Sequence, residues 1–132
     1  MQITGAAGQY LHIAELNVIG DVPVDYVAPI NLTDAFSDQM TVSQSSTYGS
    51  SYAAANVLDN DTLTFNHTQN GANEWLKLDF HGAFDVTSVG VINRSSIGSR
   101  LEGATVTLLD GFGDAIAGTE STIVGAEDGE TS

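Results

Sequence analysis

Two guanidiniums close together are the chemistry this sequence offers first. The stretch Ile92-Asn-Arg-Ser-Ser-Ile-Gly-Ser-Arg100 holds Arg94 and Arg100, and the whole chain has only three Lys or Arg residues against seventeen Asp or Glu. Each guanidinium carries five N–H donors in a rigid plane, which suits recognition of oxygen-rich ligands. The alternative is that the pair neutralises local carboxylates at a surface turn.

A second constellation is acidic. Asn56, Asp59, Asn60, Asp61, Thr62 and Thr64 crowd oxygen-bearing side chains into one short stretch. A hard cation such as Ca²⁺ takes about six to eight oxygens from carboxylates, hydroxyls and carbonyls, and such a stretch can supply them. The spacing is not that of an EF-hand, which leaves a plain Asp/Asn turn as the other reading. Glu15 interrupts an otherwise apolar strand pattern. It is either a surface-facing carboxylate or a buried one held by a metal.

The bulk numbers bound the partners. At a formal charge of −14 the chain repels phosphate backbones and anionic membranes, so nucleic acid is excluded as a partner. No apolar run reaches the length of about 18 residues that a membrane span requires. No signal-peptide pattern follows Met1, which leaves secretion open. Zero cysteines remove disulfides, zinc–thiolate sites and thiol nucleophiles. A length of 132 residues with 42% hydrophobic content predicts one globular domain spanning residues 1–132.

These side chains must be positioned by strands. Residues 9–19 alternate at Leu11, Ile13, Leu16 and Val18 and predict a strand closed by Gly20-Asp21. Residues 21–31, with both prolines, read as a connector. Residues 41–52, dense in Ser, Thr, Gly and Tyr, read as an ordered but irregular loop. Trp75–Phe80 predicts a core strand with Trp75 in the core, and Val86–Ile92 a β-branched strand leading to Arg94. Residues 104–109 alternate again, and Asp110-Gly-Phe-Gly-Asp114 reads as a hairpin turn into 115–117. The acidic end, 125–132, is expected to fray. No stretch sustains helical periodicity, so an all-β sandwich is expected.

The segments Ser43-Gln-Ser-Ser46, Ala53–Asp61, Glu74–Phe80, Val86–Arg94 and Arg100–Val106 resemble the discoidin-type jelly-roll domains. Within them the chain is most similar to the F-type, fucose-binding lectins. That family carries a histidine, then an Arg-x-Asp segment, then a second basic residue; His67, Arg94 and Arg100 match in order. Ser96 replaces the family's Asp, and the adjacent cysteines often found between the two basic residues are missing, with Ile97 the obvious substitute. Residues 1–20 look like the family's last strand moved to the front, implying a circular permutant whose first twenty residues pair inside the same sandwich.

The resemblance implies a non-catalytic lectin module. His67, Arg94 and Arg100 would bond sugar hydroxyls, with Ile97, Phe65 and Tyr48 receiving a methyl group or an apolar ring face. It also implies a structural calcium held by backbone carbonyls of Asn56, Asp61 and Ala14 and by side chains of Asp59, Thr64 and Glu15. The expected partners are fucosylated or related cell-surface glycans, bound with useful avidity only through several copies. The expected setting is extracellular or on a virion or cell surface, from a bacterial or viral source. Alternatives are a discoidin-type adhesion or protein-interaction module, and a module for a different sugar. Catalysis is not expected, because the carboxylates sit mostly in turns and no nucleophile motif occurs. Sequons at Asn31, Asn60, Asn66 and Asn93 read as chance occurrences, and His12 and His81 as structural or exposed.

Overall fold

The computed structural model describes residues 1–21, 30–82 and 84–129. Its strands are β1 (Gln2–Thr4), β2 (Glu15–Asp21), β3 (Ile30–Asn31), β4 (Thr41–Gln44), β5 (Trp75–Asp79), β6 (Asp85–Ile92), β7 (Thr105–Thr107) and β8 (Ser121–Thr122). One sheet runs β4-β5-β1-β7-β8 and the other β3-β2-β6, both antiparallel. The all-β class expected from the alternation is therefore observed. Ile3, Leu76 and Leu78 from the first sheet and Leu16, Val18 and Val91 from the second share one buried core with Leu32, Val57 and Leu101.

Alternation explains the well-read strands. On β5, Leu76 and Leu78 turn inward while Lys77 and Asp79 lie toward solvent. On β2, Leu16, Val18 and Gly20 are buried, and they pair with Val91, Val89 and Val86 of β6. The register slips between Ile19 and Gly20, a bulge at which an added Cβ on Gly20 would lie 2.2 Å from the Asp85 carbonyl oxygen. Only glycine fits that approach. β1 is the central strand of its sheet, and the Met1 ammonium donates to the Leu78 carbonyl at 3.0 Å.

Four expectations need correction. The strand expected over 9–19 has a backbone ladder only from Glu15. Before that, the Leu11 N–H donates to Thr68 Oγ1 at 2.8 Å and the Ile13 N–H to Asn66 Oδ1 at 2.7 Å. Residues 66 and 68 answer through their own N–H groups, to the carbonyls of Ile13 and Leu11. Side chains close this part of the sheet, so it is extended without being a regular strand. The irregular loop expected over 41–52 begins as strand β4, in which Val42 and Gln44 alternate in burial with exposed Thr41 and Ser43.

Trp75 is half-buried at the start of β5, with the Lys77 ammonium 5.2 Å from its ring, so it belongs to the periphery of the core. The acidic end is hydrogen-bonded over 126–129, where it meets the loop after β6. A short helix, α1 (Leu32–Phe36), also interrupts the β pattern, capped by the Asn31 side chain, which accepts from the N–H groups of Thr33 and Asp34. The connector's Pro23 and Pro29, and residues 130–132 of the end, lie outside the described residues. The hairpin turn at Asp110–Asp114 forms as expected, with the Asp110 N–H on the Asp114 carbonyl and Asp110 Oδ1 accepting from Phe112 and Asp114.

Candidate functional site

The pairing of residues 66–68 with 11–13 puts the backbones of His12 and His67 side by side, with their rings 5.3 Å apart. The loop 48–52 crosses over this pair. The Tyr48 N–H donates to the His67 carbonyl at 2.8 Å, and the His67 N–H donates to the Tyr52 carbonyl at 3.3 Å. Gln44 ties the layers together, donating to the Tyr52 carbonyl and accepting from Asn66 Nδ2. The result is a ring cluster around His67, in which Tyr48 lies at 4.6 Å, Tyr10 at 5.2 Å, Tyr52 at 5.4 Å and Phe65 at 6.2 Å.

β6 then delivers the arginines onto this platform. The Arg94 guanidinium lies 4.2 Å from the Phe65 ring centre and the Arg100 guanidinium 4.7 Å from that of Tyr10. Arg94 Nη2 donates to Ser96 Oγ at 3.1 Å, while its buried Nε meets no acceptor. Among the described residues neither arginine has an ion-pair partner; the ion pair found there joins His81 to Asp79 at 3.7 Å. Among the described residues no carboxylate thus lies within ion-pair distance of either cation, although the Asp128 charge still attracts Arg94. One aromatic ring beneath each guanidinium holds it in place and leaves N–H groups for a ligand.

The electrostatics follow. Burial first, then repulsion from Arg100, lowers the Arg94 pKa from its ordinary value. Burial also lowers the pKa of His67, and both arginines act in the same direction. His12 is pushed down to about 3 by burial, then by Arg94, His67 and Arg100. Both imidazoles are thus neutral at neutral pH. His67 Nδ1 lies 2.7 Å from the Thr68 carbonyl, which must accept, so Nδ1 carries the proton and Nε2 is left as an acceptor. His12 is buried with neither nitrogen bonded.

All six expected sugar-site residues belong to one region. His67 is buried, Phe65, Arg94 and Arg100 are half-buried, and Tyr48 and Ile97 are exposed at 53% and 48%. Tyr10, Tyr52 and His12 join the site without having been singled out for it; the Tyr-x-His alternation at 10–12 was the only sequence signal for Tyr10 and His12, and Tyr52 had none. Two grooves lie elsewhere, one of about 520 Å³ between β6 and the β7–β8 edge and one of about 870 Å³ beside Met1 and Phe80. Asn66 and Asn93 are buried and donate through their side-chain amides, so neither sequon is open to a glycan in the fold.

The acidic turn meets β2 at Glu15. Glu15 is 4% exposed, its Oε2 has no partner, and it is in contact with Asp59. Burial raises its pKa to about 7; the Asp59 carboxylate adds to the rise, and the Asn60 N–H opposes it. Thr64 Oγ1 donates to Asp59 Oδ2 and sits 3.0 Å from the Asp61 carbonyl, and Asp59 Oδ1 accepts from the Asp61 N–H at 2.9 Å. The Asp61 carboxylate itself caps Leu63 instead of joining the cluster. The Asn56 amide donates to the carbonyls of Ser51 and Phe65, and the Ala14 N–H to that of Ile92, which fixes both backbones nearby. Among the described residues no three His, Asp or Glu side chains gather at one point. The convergence is two carboxylates, a hydroxyl and a backbone carbonyl.

No helix among the described residues is long and apolar enough to cross a membrane. No protein-family model, no curated protein and no solved structure matches the chain.

Proposed function

We propose that this chain is a glycan-binding module that recognises fucosylated or related glycans, stabilised by calcium and without catalysis. The observation that carries this reading is the pair of guanidiniums, uncompensated among the described residues, each stacked on an aromatic ring beside a neutral histidine. Arg94 and Arg100 donate to sugar hydroxyl and ring oxygens, and His67 Nε2 accepts from a hydroxyl between them. A hydroxyl that accepts two bonds and donates one is matched by that set. Ile97 and Tyr48, exposed at the rim, take the methyl group or apolar face, while Phe65 acts from beneath by holding Arg94.

The residues at the acidic turn fit calcium. A buried, unpartnered Glu15 oxygen against a second carboxylate is unfavourable when both are ionised, and either a proton or a cation between them relieves that cost. Glu15, Asp59 and Thr64 side chains with the carbonyls of Asp61, Asn56 and Ala14 would hold it. The bound ion would neutralise the buried carboxylates and tie the turn to β2.

The five-plus-three arrangement of sheets suits the discoidin-type jelly roll, and the pairing of residues 2–4 and 15–21 within the two sheets suits the permuted order. One hydroxyl-binding site is expected to bind weakly, which suits several copies acting together in an extracellular or particle-surface setting. An adhesion module reading a partner's carboxylates is the competing reading, favoured by the same uncompensated arginines.

A glycan array probed with and without Ca²⁺ tests the proposal. Binding should appear on glycans ending in fucose or a sugar with the same hydroxyl pattern. An array with no bound sugar would overturn the reading.

A further inference from the structure

Ile97 is a β-branched residue held at φ 55°, a left-handed conformation that such side chains avoid. Something must hold it there, and the bonds around it identify what does. On one side Asn93, 1% exposed, donates from Nδ2 to the Gly98 carbonyl at 2.8 Å and to the Glu127 carbonyl at 3.0 Å, while its Oδ1 accepts from the Arg94 N–H at 2.9 Å. On the other, Asp128 Oδ1 accepts from the Gly98 N–H at 2.5 Å, and the Gly129 N–H donates to the Arg94 carbonyl at 2.9 Å. The Ala126 N–H donates to Glu102 Oε2 at 2.7 Å, anchoring the same segment just past Arg100. Gly98 is enclosed by these groups: an added Cβ would lie 2.6 Å from Asn93 Nδ2 and 2.8 Å from Asp128 Oδ1.

We infer that residues 126–129 are a clasp that sets the binding loop, with Asn93 and Asp128 as positioning residues for Arg94, Ile97 and Arg100. The inference rests on the glycan-binding reading of that loop. Both peptide groups of Gly98, the residue that follows left-handed Ile97, are bonded: the clasp holds the one that joins Ile97 to Gly98, and Asn93 the one leaving Gly98. Released from the clasp, Ile97 can relax to φ < 0, which swings its side chain off the rim and changes the path from Arg94 to Arg100. The two guanidiniums then lose their common register on Phe65 and Tyr10. A segment that reads in sequence as an acidic, fraying end thereby becomes part of the binding site, although the ligand never touches it.

Asp128→Ala and Asp128→Asn separate this role from general stability, because Asp128 is exposed while its oxygen is used. The alanine variant should bind the best array glycan about tenfold more weakly, as expected for losing a charge-assisted hydrogen bond that organises the site, with little change in melting temperature. The asparagine variant keeps an acceptor oxygen and should restore most of the affinity. Faster exchange of the Gly98 amide and of the Arg94 and Arg100 Nε protons, followed by NMR in Asp128→Ala, is the readout that needs no ligand. Wild-type affinity in Asp128→Ala overturns the clasp. If the wild type binds no glycan, the function fails and the exchange data judge the clasp: unchanged rates at Gly98 and both arginines overturn it, and faster rates support it.

Discussion

Glu15 shows how far one residue can carry the account. The fold takes its carboxyl out of water and sets it against Asp59, and its pKa rises from 4.5 to about 7. Without a cation the folded state holds that proton more tightly than the unfolded chain does. Between about pH 4.5 and 7 the unfolded chain therefore binds fewer protons, and this group's contribution to stability falls as pH rises. In chelator, Glu15→Gln should melt above the wild type at pH values over 7, and the two curves should converge below pH 4.5. With Ca²⁺ the order should invert at neutral pH, because the ion binds the ionised carboxylate and the amide is the poorer ligand. Thermal melts of both proteins across pH, with and without Ca²⁺, check this. Melts indifferent to chelator would make the turn only a turn. The histidines act in the opposite sense: the lowered pKa values of His12 and His67 withdraw stability as pH falls below about 6.5, so only the difference between the two proteins isolates Glu15.

At the scale of elements, β2 and β6 connect the two sites. β2 starts at Glu15, runs beside β6, and β6 ends next to Asn93 and Arg94. The bulge at Gly20 sets their register at the far end, because Gly20 closes onto the Asp85 carbonyl. Gly20→Ala should cost about 1–3 kcal/mol through forced separation of the pair, measured by denaturant unfolding. A variant as stable as the wild type would show that the bulge is not a constraint. The elements that were legible in the sequence are β5 and the Leu16–Val18 part of β2, in which burial alternates along one backbone ladder, and β6, through its β-branched residues. Residues 11–13 were read with the right faces but the wrong bonding, since no periodicity reveals that Asn66 and Thr68 side chains complete the ladder. β4 was read as loop because its Ser and Thr content signals turns, while its pairing with β5 was decided by tertiary contact.

At the scale of the molecule, a chain of net charge −14 gathers two of its three cations on one ring cluster and leaves them without carboxylate partners among the described residues. That concentration was visible in the sequence. The aromatic bed beneath it was visible only in part: Phe65 and Tyr48 were named, whereas Tyr10 and Tyr52 come from segments whose approach depends on the 11–13 and 66–68 pairing. The role of 126–129 was hidden because its bonds come from backbone groups and one Asp, which carry no pattern. The central claim is that Arg94 and Arg100 bind a neutral glycan. Calorimetric titration of wild type and Arg94→Ala with the best array glycan, at low and high salt, tests it most directly. Wild-type binding should be weak, saturable and little changed by salt, and Arg94→Ala should show none despite a nearly unchanged melting temperature. Undiminished binding by Arg94→Ala, or wild-type binding that disappears at high salt, would contradict it.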